Sequence, residues 1–349
     1  MRNGTATIAD IAAKAGVSKT AVSYAFNAPE KLSATTVARI LAVAEELSYS
    51  PNPLARSMSI GRTGTLGVLV PQPLEGMLIN PFFSEFLAGV AAIAGEEGFP
   101  LLLVPPVKGS VEGAISGAAV DGFLTLGLET FRPTMHVLER RGLPYVMVDS
   151  DPAEGVACVN VDDENGAYAA MTHLLERGHR RIGILGIRSP QRGRWEKYTG
   201  TLHRRMNGYT RALAEYGLQV GESGARLIEC EVSEEGGKHG FERLLKRGGT
   251  PTAIVAMSDL IAIGALESAL SRGICVPDDL SLVGFDDIPE VSWVQPPLTT
   301  VRQPTQEKGR TAAKLLLDLV VRNGEPRHVV LETELVVRGS VGSVDTALK

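Results

Sequence analysis

From residue 65 onward, short apolar runs alternate with segments that have a helical period. Nearly continuous apolar runs separated by helices are typical of parallel sheets covered by helices on both faces. The predicted strands are residues 66–70, 101–104, 122–126, 145–148, 182–185, 227–231, 253–257 and 280–285. The predicted helices are residues 83–97, 165–177, 206–216, 234–246, 260–272 and 306–321. Because the alternation occurs twice, we predict an α/β body of two doubly wound lobes, each with a parallel sheet.

The first 50 residues have a helical period only. Residues 8–15 place apolar side chains at positions i, i+3, i+4 and i+7, the pattern of a short amphipathic helix. Thr7 can cap this helix, and Gly16 permits a tight turn after it. Ser18 can cap a second helix at residues 19–26. This order of elements predicts a helix-turn-helix.

A third helix begins after Ser33, so the N-terminal region is predicted to be an all-α head of three short helices. The second helix of a helix-turn-helix enters the major groove of DNA with its N-terminal side chains. In this chain Lys19, Thr20, Ser23 and Tyr24 lie on the outward face of that helix. The pattern alone also fits a small helical bundle that does not contact DNA.

Charge is distributed unevenly along the chain. The net charge of the 349 residues is −5, which is unusual for a protein that binds nucleic acid. Residues 1–62, however, carry seven Lys or Arg and four Asp or Glu, a net +3, whereas the remaining residues carry 28 and 36, a net −8. Only the head therefore has the charge to approach phosphates.

Two segments of the head and its linker carry a family resemblance. Residues 7–23 read TIADIAAKAGVSKTAVS, and residues 47–58 read LSYSPNPLARSM. Both resemble the head of the lactose-repressor (LacI/GalR) family of bacterial transcription regulators. The match is dense, and with the body segments described below it extends over almost the whole chain. It implies a DNA-binding regulator, most simply a repressor.

The linker is predicted to contain a hinge helix. Pro51 and Pro53 end the third helix, and residues 54–58 are long enough for only one or two turns, which are marginal in isolation. The resemblance implies that this segment folds on the operator and lies in the minor groove. There Met58 has the position of an apolar wedge that opens a base step. Alternatively, Met58 only fills the junction between head and body.

We predict DNA contacts from ten residues of the head and hinge. They are Thr7, Ser18, Lys19, Thr20, Ser23, Tyr24, Asn27, Asn52, Ala55 and Met58.

The body resembles the effector-binding domain of the same family, which is related in fold to periplasmic sugar-binding proteins. The matching segments are NPFF at residues 80–83, VDDENG at 161–166, RGHRRI at 177–182 and PLTTVRQP at 297–304. The resemblance implies three crossings between the lobes, which we expect near Asp162, Asp287 and Val321.

These crossings define the expected domain boundaries. The head is residues 1–50, the hinge and linker residues 51–63, and the bilobal effector-binding and dimerisation domain residues 64–349. Lobe 1 is expected at about residues 64–161 and 288–321, and lobe 2 at about 162–287 and 322–340. The tail after Arg338 has no leucine heptad, so a homodimer is expected rather than a tetramer.

Two carboxylates follow predicted strands, where side chains project into the cleft of a doubly wound fold. Asp149 follows residues 145–148, and Asp286 follows residues 280–285. Carboxylates accept hydrogen bonds from hydroxyl groups, which suits a sugar or nucleoside. Each carboxylate can instead cap a helix or form a salt bridge at a crossover.

The resemblance adds further residues to the predicted effector site. Arg205 has the place of an arginine that clamps the effector, and Phe82 and Phe83 provide an apolar wall. Glu231 stands where many relatives have a stacking aromatic residue, so the identity of the effector cannot be transferred from the family. The predicted effector-binding residues are Phe82, Phe83, Asp149, Arg205, Glu231, Ser258 and Asp286.

The segment 188–205 contains six basic residues and a single acidic residue, Glu196. The basic residues are Arg188, Arg192, Arg194, Lys197, Arg204 and Arg205. Such a cluster can bind a phosphate or carboxylate group of a ligand. A solvated surface loop is the interpretation that we favour.

Other classes of protein fit the sequence less well. The chain has no phosphate-binding P-loop motif, no Gly-x-Ser-x-Gly and no His or Cys set with metal-ligand spacing, so neither an enzyme nor a cofactor is predicted. Three separated cysteines predict no disulfide framework. The N-terminus lacks the apolar core of a signal peptide, and no apolar run is long enough to span a bilayer. We therefore expect a cytoplasmic protein rather than a secreted sugar-binding one.

Overall fold

A computed structural model describes residues 6–50, 61–70, 72–127, 132–190, 194–221, 225–246 and 250–344. The chain divides into two compact units, Met1–Gly64 and Thr65–Lys349.

The first unit contains the predicted helix-turn-helix. Helices α1 (Ile8–Ala15), α2 (Lys19–Asn27) and α3 (Ala34–Glu46) surround a core that contains the fully buried Ile11, Val22 and Ile40. A short 3₁₀ turn, Pro29–Lys31, precedes α3.

Local sequence determines where these helices begin and turn. The Thr7 hydroxyl accepts a hydrogen bond from the Asp10 amide, and the Asp10 carboxylate accepts one in return from the Thr7 amide at 2.8 Å. Gly16 has φ +64°, the left-handed conformation that ends α1. The Ser18 hydroxyl caps α2 by accepting from the Ala21 amide at 3.1 Å. The predicted helix-turn-helix is therefore confirmed.

The described residues of the second unit form two six-stranded sheets. All neighbouring strands of the first sheet are parallel, in the order β11-β5-β4-β3-β1-β2. Its strands are β1 (Leu66–Leu69), β2 (Leu101–Val104), β3 (Gly122–Leu126), β4 (Tyr145–Val148), β5 (Ala157–Val161) and β11 (His328–Leu331).

The second sheet has the order β12-β10-β9-β8-β6-β7 and is parallel except for the antiparallel edge strand β12. Its strands are β6 (Ile182–Ile187), β7 (Ala225–Cys230), β8 (Ala253–Ala256), β9 (Ser281–Asp286), β10 (Thr299–Arg302) and β12 (Glu334–Val336). The predicted pair of doubly wound lobes is confirmed.

Helices connect and cover the strands. They are α4 (Leu74–Leu78), α5 (Pro81–Glu96), α6 (Val111–Gly117), α7 (Arg132–Arg141), α8 (Asp163–Glu176), α9 (Gly200–Glu215), α10 (Glu234–Lys246), α11 (Asp259–Leu270) and α12 (Thr305–Arg322). Two further 3₁₀ turns are Trp195–Lys197 and Pro289–Ser292. Helix α9 starts six residues before its predicted start at residue 206, so residues 200–205 are helical rather than part of a loop.

The lobe boundaries differ from the expected ones after residue 287. The chain passes to the second sheet after β5, near Asp162 as expected. Strand β10, however, pairs with β9, so residues 288–302 belong to lobe 2 rather than lobe 1. Helix α12 then packs on α5, and β11 pairs with β5, so residues 305–331 belong to lobe 1. The second and third crossings therefore lie near residues 303 and 332, not near Asp287 and Val321.

Helices α5 and α12 of lobe 1 pack at backbone distance. A Cβ atom added to Gly89 would lie 2.0 Å from the Gln306 carbonyl oxygen, and one added to Gly309 would lie 2.2 Å from the Phe86 carbonyl oxygen. Only glycine permits this approach. The backbones of the two helices are therefore in direct contact at these glycines.

Candidate effector site and DNA-binding head

A cavity of about 570 Å³ lies between the two lobes, at the carboxyl ends of strands from both sheets. This is where doubly wound folds bind ligands. Lobe 1 contributes Gln72, Met77, Asn80, Phe82, Phe83, Glu112, Leu126, Thr134, Asp149 and Ser150 to the lining. Lobe 2 contributes Ile187, Arg188, Pro190, Thr199, Gly200, Thr201, Leu202, Arg205, Val232, Met257, Ser258 and Asp286, and Gln303 lies at the second crossing.

Asp149 follows β4 and faces the cavity. Both of its carboxylate oxygens accept hydrogen bonds from the Lys308 ammonium group, at 2.9 and 2.8 Å. Lys308 lies on α12 and is completely buried. The negative charge of Asp149 is therefore compensated from behind the cavity wall, while its remaining lone pairs can accept from a ligand.

Asp286 is the last residue of β9 and faces the cavity from lobe 2. Its Oδ1 accepts a hydrogen bond from the side-chain nitrogen of Gln303, Nε2, at 2.6 Å. The hydroxyl of Ser258, which also lines the cavity, is buried and has no hydrogen-bond partner among the described residues. Asp286 and Ser258 thus offer adjacent polar atoms to a ligand.

Arg205 forms the floor of the cavity on the lobe 2 side. Its Nε donates to Asp163 at 2.9 Å, and one terminal nitrogen donates to the Met257 carbonyl oxygen. The guanidinium lies 3.6 Å from the centre of the Phe285 ring, and its other terminal nitrogen is 4.0 Å from Asp286. Two of the five guanidinium N–H donors are therefore used in these hydrogen bonds within the protein, and Arg205 presents its positive charge to the cavity that it lines.

Burial raises the pKa of both Asp286 and Asp259, and their mutual repulsion raises the pKa of Asp259 further. The nearby Arg205 opposes this shift at Asp286. Asp259 accepts hydrogen bonds from the Thr300 hydroxyl at 2.6 Å and the Ile288 amide at 3.0 Å. Asp259 therefore fixes the start of α11 beside the strand ends, while Asp286 faces the cavity.

Six of the seven predicted effector residues line this cavity. Phe82 and Phe83 start α5, where the Asn80 side chain accepts a hydrogen bond from the Phe82 amide at 3.1 Å. Phe82 remains partly exposed, whereas Phe83 is fully buried in the lobe 1 core. Glu231 does not line the cavity; it pairs with Arg188 in an adjoining depression.

Three of the six basic residues of the segment 188–205 pair with carboxylates. Arg204 donates to Asp163 through Nε at 3.1 Å and lies 3.6 Å from Asp151. Arg188 pairs with Glu231, and Arg205 pairs with Asp163. Arg192 lies outside the described residues.

The head presents the predicted recognition residues on its surface. Lys19, Thr20, Tyr24 and Asn27 are exposed on α2, and Ser23 is partly exposed. The Ser23 hydroxyl lies 3.4 Å from the Asn27 side-chain nitrogen.

Three other predicted DNA contacts belong to the hinge and two to helix caps. Asn52, Ala55 and Met58 lie outside the described residues. Thr7 and Ser18 are exposed but use their hydroxyl groups to cap α1 and α2.

Lys308 and Gln303 are two residues of the site that the sequence alone did not predict. A lysine in the first turns of an amphipathic helix would ordinarily be assigned to the surface. The only available signal was that Lys308 lies four residues after Pro304, at the N-terminal end of the helix that follows a crossing. Its partner Asp149 is 159 residues away in the sequence.

The described residues contain no helix long and apolar enough to cross a membrane. Nor do they contain a group of three or more His, Cys, Asp or Glu side chains placed to hold a metal ion.

Comparisons with known proteins agree with this architecture. A family model described as "Bacterial regulatory proteins, lacI family" matches residues 7–52, and a periplasmic binding protein-like domain matches residues 171–341. The transcriptional repressor PurR of Photobacterium profundum is 32% identical over 344 residues, 96% of this chain and 98% of that protein. The repressor CytR of Escherichia coli K12 is 33% identical over 347 residues, 96% of each chain.

Solved structures show the same relationship. The transcriptional regulator CelR in complex with cellobiose superposes with a TM-score of 0.71 at 31% identity, covering 96% of this chain and 99% of that one. The lac repressor dimer bound to operator has a TM-score of 0.79 at 24% identity, covering 97% and 100%, and shows the shared fold. The chain thus belongs to the LacI family of bacterial regulatory proteins and is a DNA-binding transcriptional regulator rather than an enzyme.

Proposed function

We propose that this regulator is a homodimeric, cytoplasmic repressor that binds a pseudopalindromic operator and is controlled by a small, uncharged, hydroxyl-rich effector. The observation that carries the effector assignment is the set of acceptors around the cavity. Asp149 and Asp286 face it from opposite lobes, and Ser258 adds a hydroxyl group. Phe82 offers an apolar surface to one side of a ring. A sugar or a nucleoside combines these features.

A phosphorylated effector fits the cavity less well. Among the described residues, three cations that line the cavity or contact its lining, Arg188, Arg205 and Lys308, are each paired with a carboxylate. A phosphate would have to displace such a partner, which would leave a carboxylate unpaired. Related regulators fit the uncharged class: CelR has been solved with cellobiose, and an Enterococcus faecium family member, 27% identical, with ribose.

A thermal-shift screen of the full chain tests the effector class. Sugars, nucleosides and the corresponding sugar phosphates are compared at equal concentration. A ligand present at 100 times its Kd stabilises the folded state by about 2.7 kcal/mol, which is readily measured. Stabilisation by sugar phosphates alone would reject the proposal. Titrating the operator complex with each hit then shows whether the effector releases the protein from DNA or strengthens binding.

The operator proposal rests on the head. Two heads related by a twofold axis must contact inverted half-sites. Footprinting together with the measured mass of the complex tests this, and protection of one asymmetric half-site by a single chain would reject it. Replacement of Lys19, Thr20 or Tyr24 by Ala should change the base preference, by about 1–3 kcal/mol per lost base contact. A uniform loss on every DNA sequence would instead identify phosphate contacts.

For the hinge, we propose that Met58 is the minor-groove wedge, as the family resemblance implies. Met58→Gly removes both the wedge and helix propensity, so it should weaken operator binding while binding to random DNA is nearly unchanged. Equal losses on operator and random DNA would favour a filler at the junction of head and body. Met58→Leu, which retains an apolar side chain of similar size, is the matched control.

A further inference from the structure

Lys308 is a buried cation in an unfavourable place. It is the fourth residue of α12, and its side chain has no exposed surface. Burial penalises its charge, and the positive end of the helix dipole adds a second penalty. Such a group persists only where its partners compensate for both penalties.

The ammonium group has three N–H donors, and the structure provides three acceptors for them. Two are the oxygens of Asp149, at 2.9 and 2.8 Å, and the third is the Gln303 side-chain oxygen at 2.6 Å. The Phe82 ring completes the enclosure, with its centre 4.9 Å from the nitrogen. The hydrogen bonds of Lys308 are thus complete without a ligand.

The contact with Lys308 fixes the orientation of the Gln303 amide. Its oxygen must face the ammonium, so its nitrogen faces Asp286 and donates to Oδ1 at 2.6 Å. A flipped amide would place N–H against N–H and oxygen against carboxylate. Gln303 follows β10 of lobe 2 and precedes α12 of lobe 1, so this orientation links the two lobes.

We propose that Lys308 is a positioning residue for effector binding, which fixes Asp149 directly and Asp286 through Gln303. One buried ammonium group then sets the geometry of the two acceptors that face the cavity from opposite lobes. The relay runs from α12 to the end of β9. A change at either acceptor is transmitted to the other and to the pair of α5 and α12.

A role in stability alone explains the arrangement poorly. A buried ion pair is often no more stabilising than apolar side chains of the same volume, because both charges lose their hydration. An apolar residue would fill this position in α12 without that penalty. What it could not do is hold Asp149 and orient the Gln303 amide.

Nuclear magnetic resonance of the full chain labelled with ¹⁵N at the lysine side chains tests the relay directly. A buried ammonium with three acceptors exchanges its protons slowly, so one protected signal is expected. Lys308→Arg, which keeps the charge, should remove that signal, whereas Lys314→Met, at an exposed position of the same helix, should not. Asp286→Asn should shift it, and should no longer do so in a Gln303→Met background. The proposal would be overturned if no protected lysine signal were found, or if Asp286→Asn did not shift that signal.

Chemical denaturation provides a second test. Lys308→Met retains most of the side-chain volume but leaves Asp149 without its cation, so the folding equilibrium constant should fall. The double variant Lys308→Met with Asp149→Asn should have a folding equilibrium constant about tenfold higher than that of Lys308→Met alone. Strictly additive losses would show that the two residues are not coupled and would overturn the direct half of the relay.

The inference rests on the proposed role of Asp149 and Asp286 as effector acceptors, but neither test requires an effector. A failed relay with a successful effector screen would leave the proposed function intact. A confirmed relay with a failed effector screen would show that Lys308 couples Asp149 and Asp286, but that these carboxylates bind another class of ligand.

Discussion

Two adjacent aspartates at the end of β9 should respond oppositely to the same substitution. Asp286 faces the effector cavity, whereas Asp287 pairs with Arg302 at 2.7 Å and Arg338 at 2.6 Å and does not line the cavity. Both have positive φ angles, 129° and 60°, which asparagine tolerates better than most residues. Asp→Asn at each position therefore changes charge with little change in shape or backbone strain.

Asp286→Asn should weaken effector binding but not folding. A lost hydrogen bond to a charged group amounts to about 1.5–3 kcal/mol, or about a 10- to 160-fold increase in Kd. Burial raises the pKa of Asp286, so the ionised form is disfavoured in the folded chain. Above that pKa, the neutral amide removes this penalty, while its oxygen can still accept from Gln303. The free energy of unfolding at pH 7.5 should therefore stay the same or rise.

Asp287→Asn should show the reverse pattern. Its carboxylate is largely buried and forms two charge-assisted hydrogen bonds, and Arg338 is the less exposed of the two partners. Asparagine keeps one acceptor oxygen but loses the negative charge and one of the two hydrogen bonds, which should lower the free energy of unfolding by about 1.5–3 kcal/mol. Effector affinity should be unchanged because the side chain points away from the cavity.

Calorimetric titration with a hit from the effector screen and urea denaturation at pH 7.5 measure the two quantities on the same samples. Wild-type effector affinity in Asp286→Asn would show that this carboxylate does not contact the effector. A larger loss of stability in Asp286→Asn than in Asp287→Asn would refute the electrostatic reasoning.

Three further predictions follow from packing and charge. Gly309→Ala should destabilise lobe 1 because its Cβ would lie 2.2 Å from an α5 carbonyl oxygen. Gly95→Ala, where α5 borders open space, should instead stabilise lobe 1 by about 0.5–1 kcal/mol. The urea denaturation midpoints of the two variants, compared with that of the unchanged protein, test both predictions. Burial lowers the pKa of His173 to about 4 in the folded chain. As the pH falls from 6.5 to 4, the unfolded chain binds a proton at this histidine before the folded chain does, so the free energy of unfolding should fall. His173→Leu should flatten this part of a plot of urea midpoint against pH. Arg205→Ala should lower folding stability by about 1.5–3 kcal/mol, because the buried Asp163 loses one charge-assisted hydrogen bond and keeps only Arg204 as its cation; an unchanged urea midpoint would contradict this pairing.

Local sequence patterns predicted the elements with strong periodicity but not the short polar strands. Strands β1 to β4, β6, β8 and β9 are mostly apolar runs, and β7 keeps enough apolar residues beside Arg226 and Glu229 to be predicted from the alternation of strands with helices. Strand β10 is Thr-Thr-Val-Arg, and its place in lobe 2 depends on pairing with β9. Strand β5 contains Asn160, which interrupts its apolar pattern but accepts a hydrogen bond from the Ser150 amide at 3.1 Å. These strands are stabilised by partners distant in the sequence, so local patterns could not locate them.

The residues of the candidate site could likewise be predicted from the sequence only in part. The positions of Asp149 and Asp286 could be predicted because a residue that follows a parallel strand must lie at the ligand-binding edge. Arg205 was identified from its family motif, but its partner Asp163 had no signal beyond its place at the start of α8. Lys308 could not be predicted, because burial of its charge depends on a carboxylate from another part of lobe 1.

The second crossing places the cavity lining and the connection between the lobes at the same residue, Gln303. Gln303 lines the cavity and is also the point where the chain leaves β10 for α12. An effector controls a regulator only through its different affinities for two arrangements of the protein. An effector that competes for Asp286 changes the partner of Gln303, and thus acts on the backbone that sets the position of α12. Since α12 and α5 pack through glycines at backbone distance, we expect any displacement of α12 to displace α5 as well.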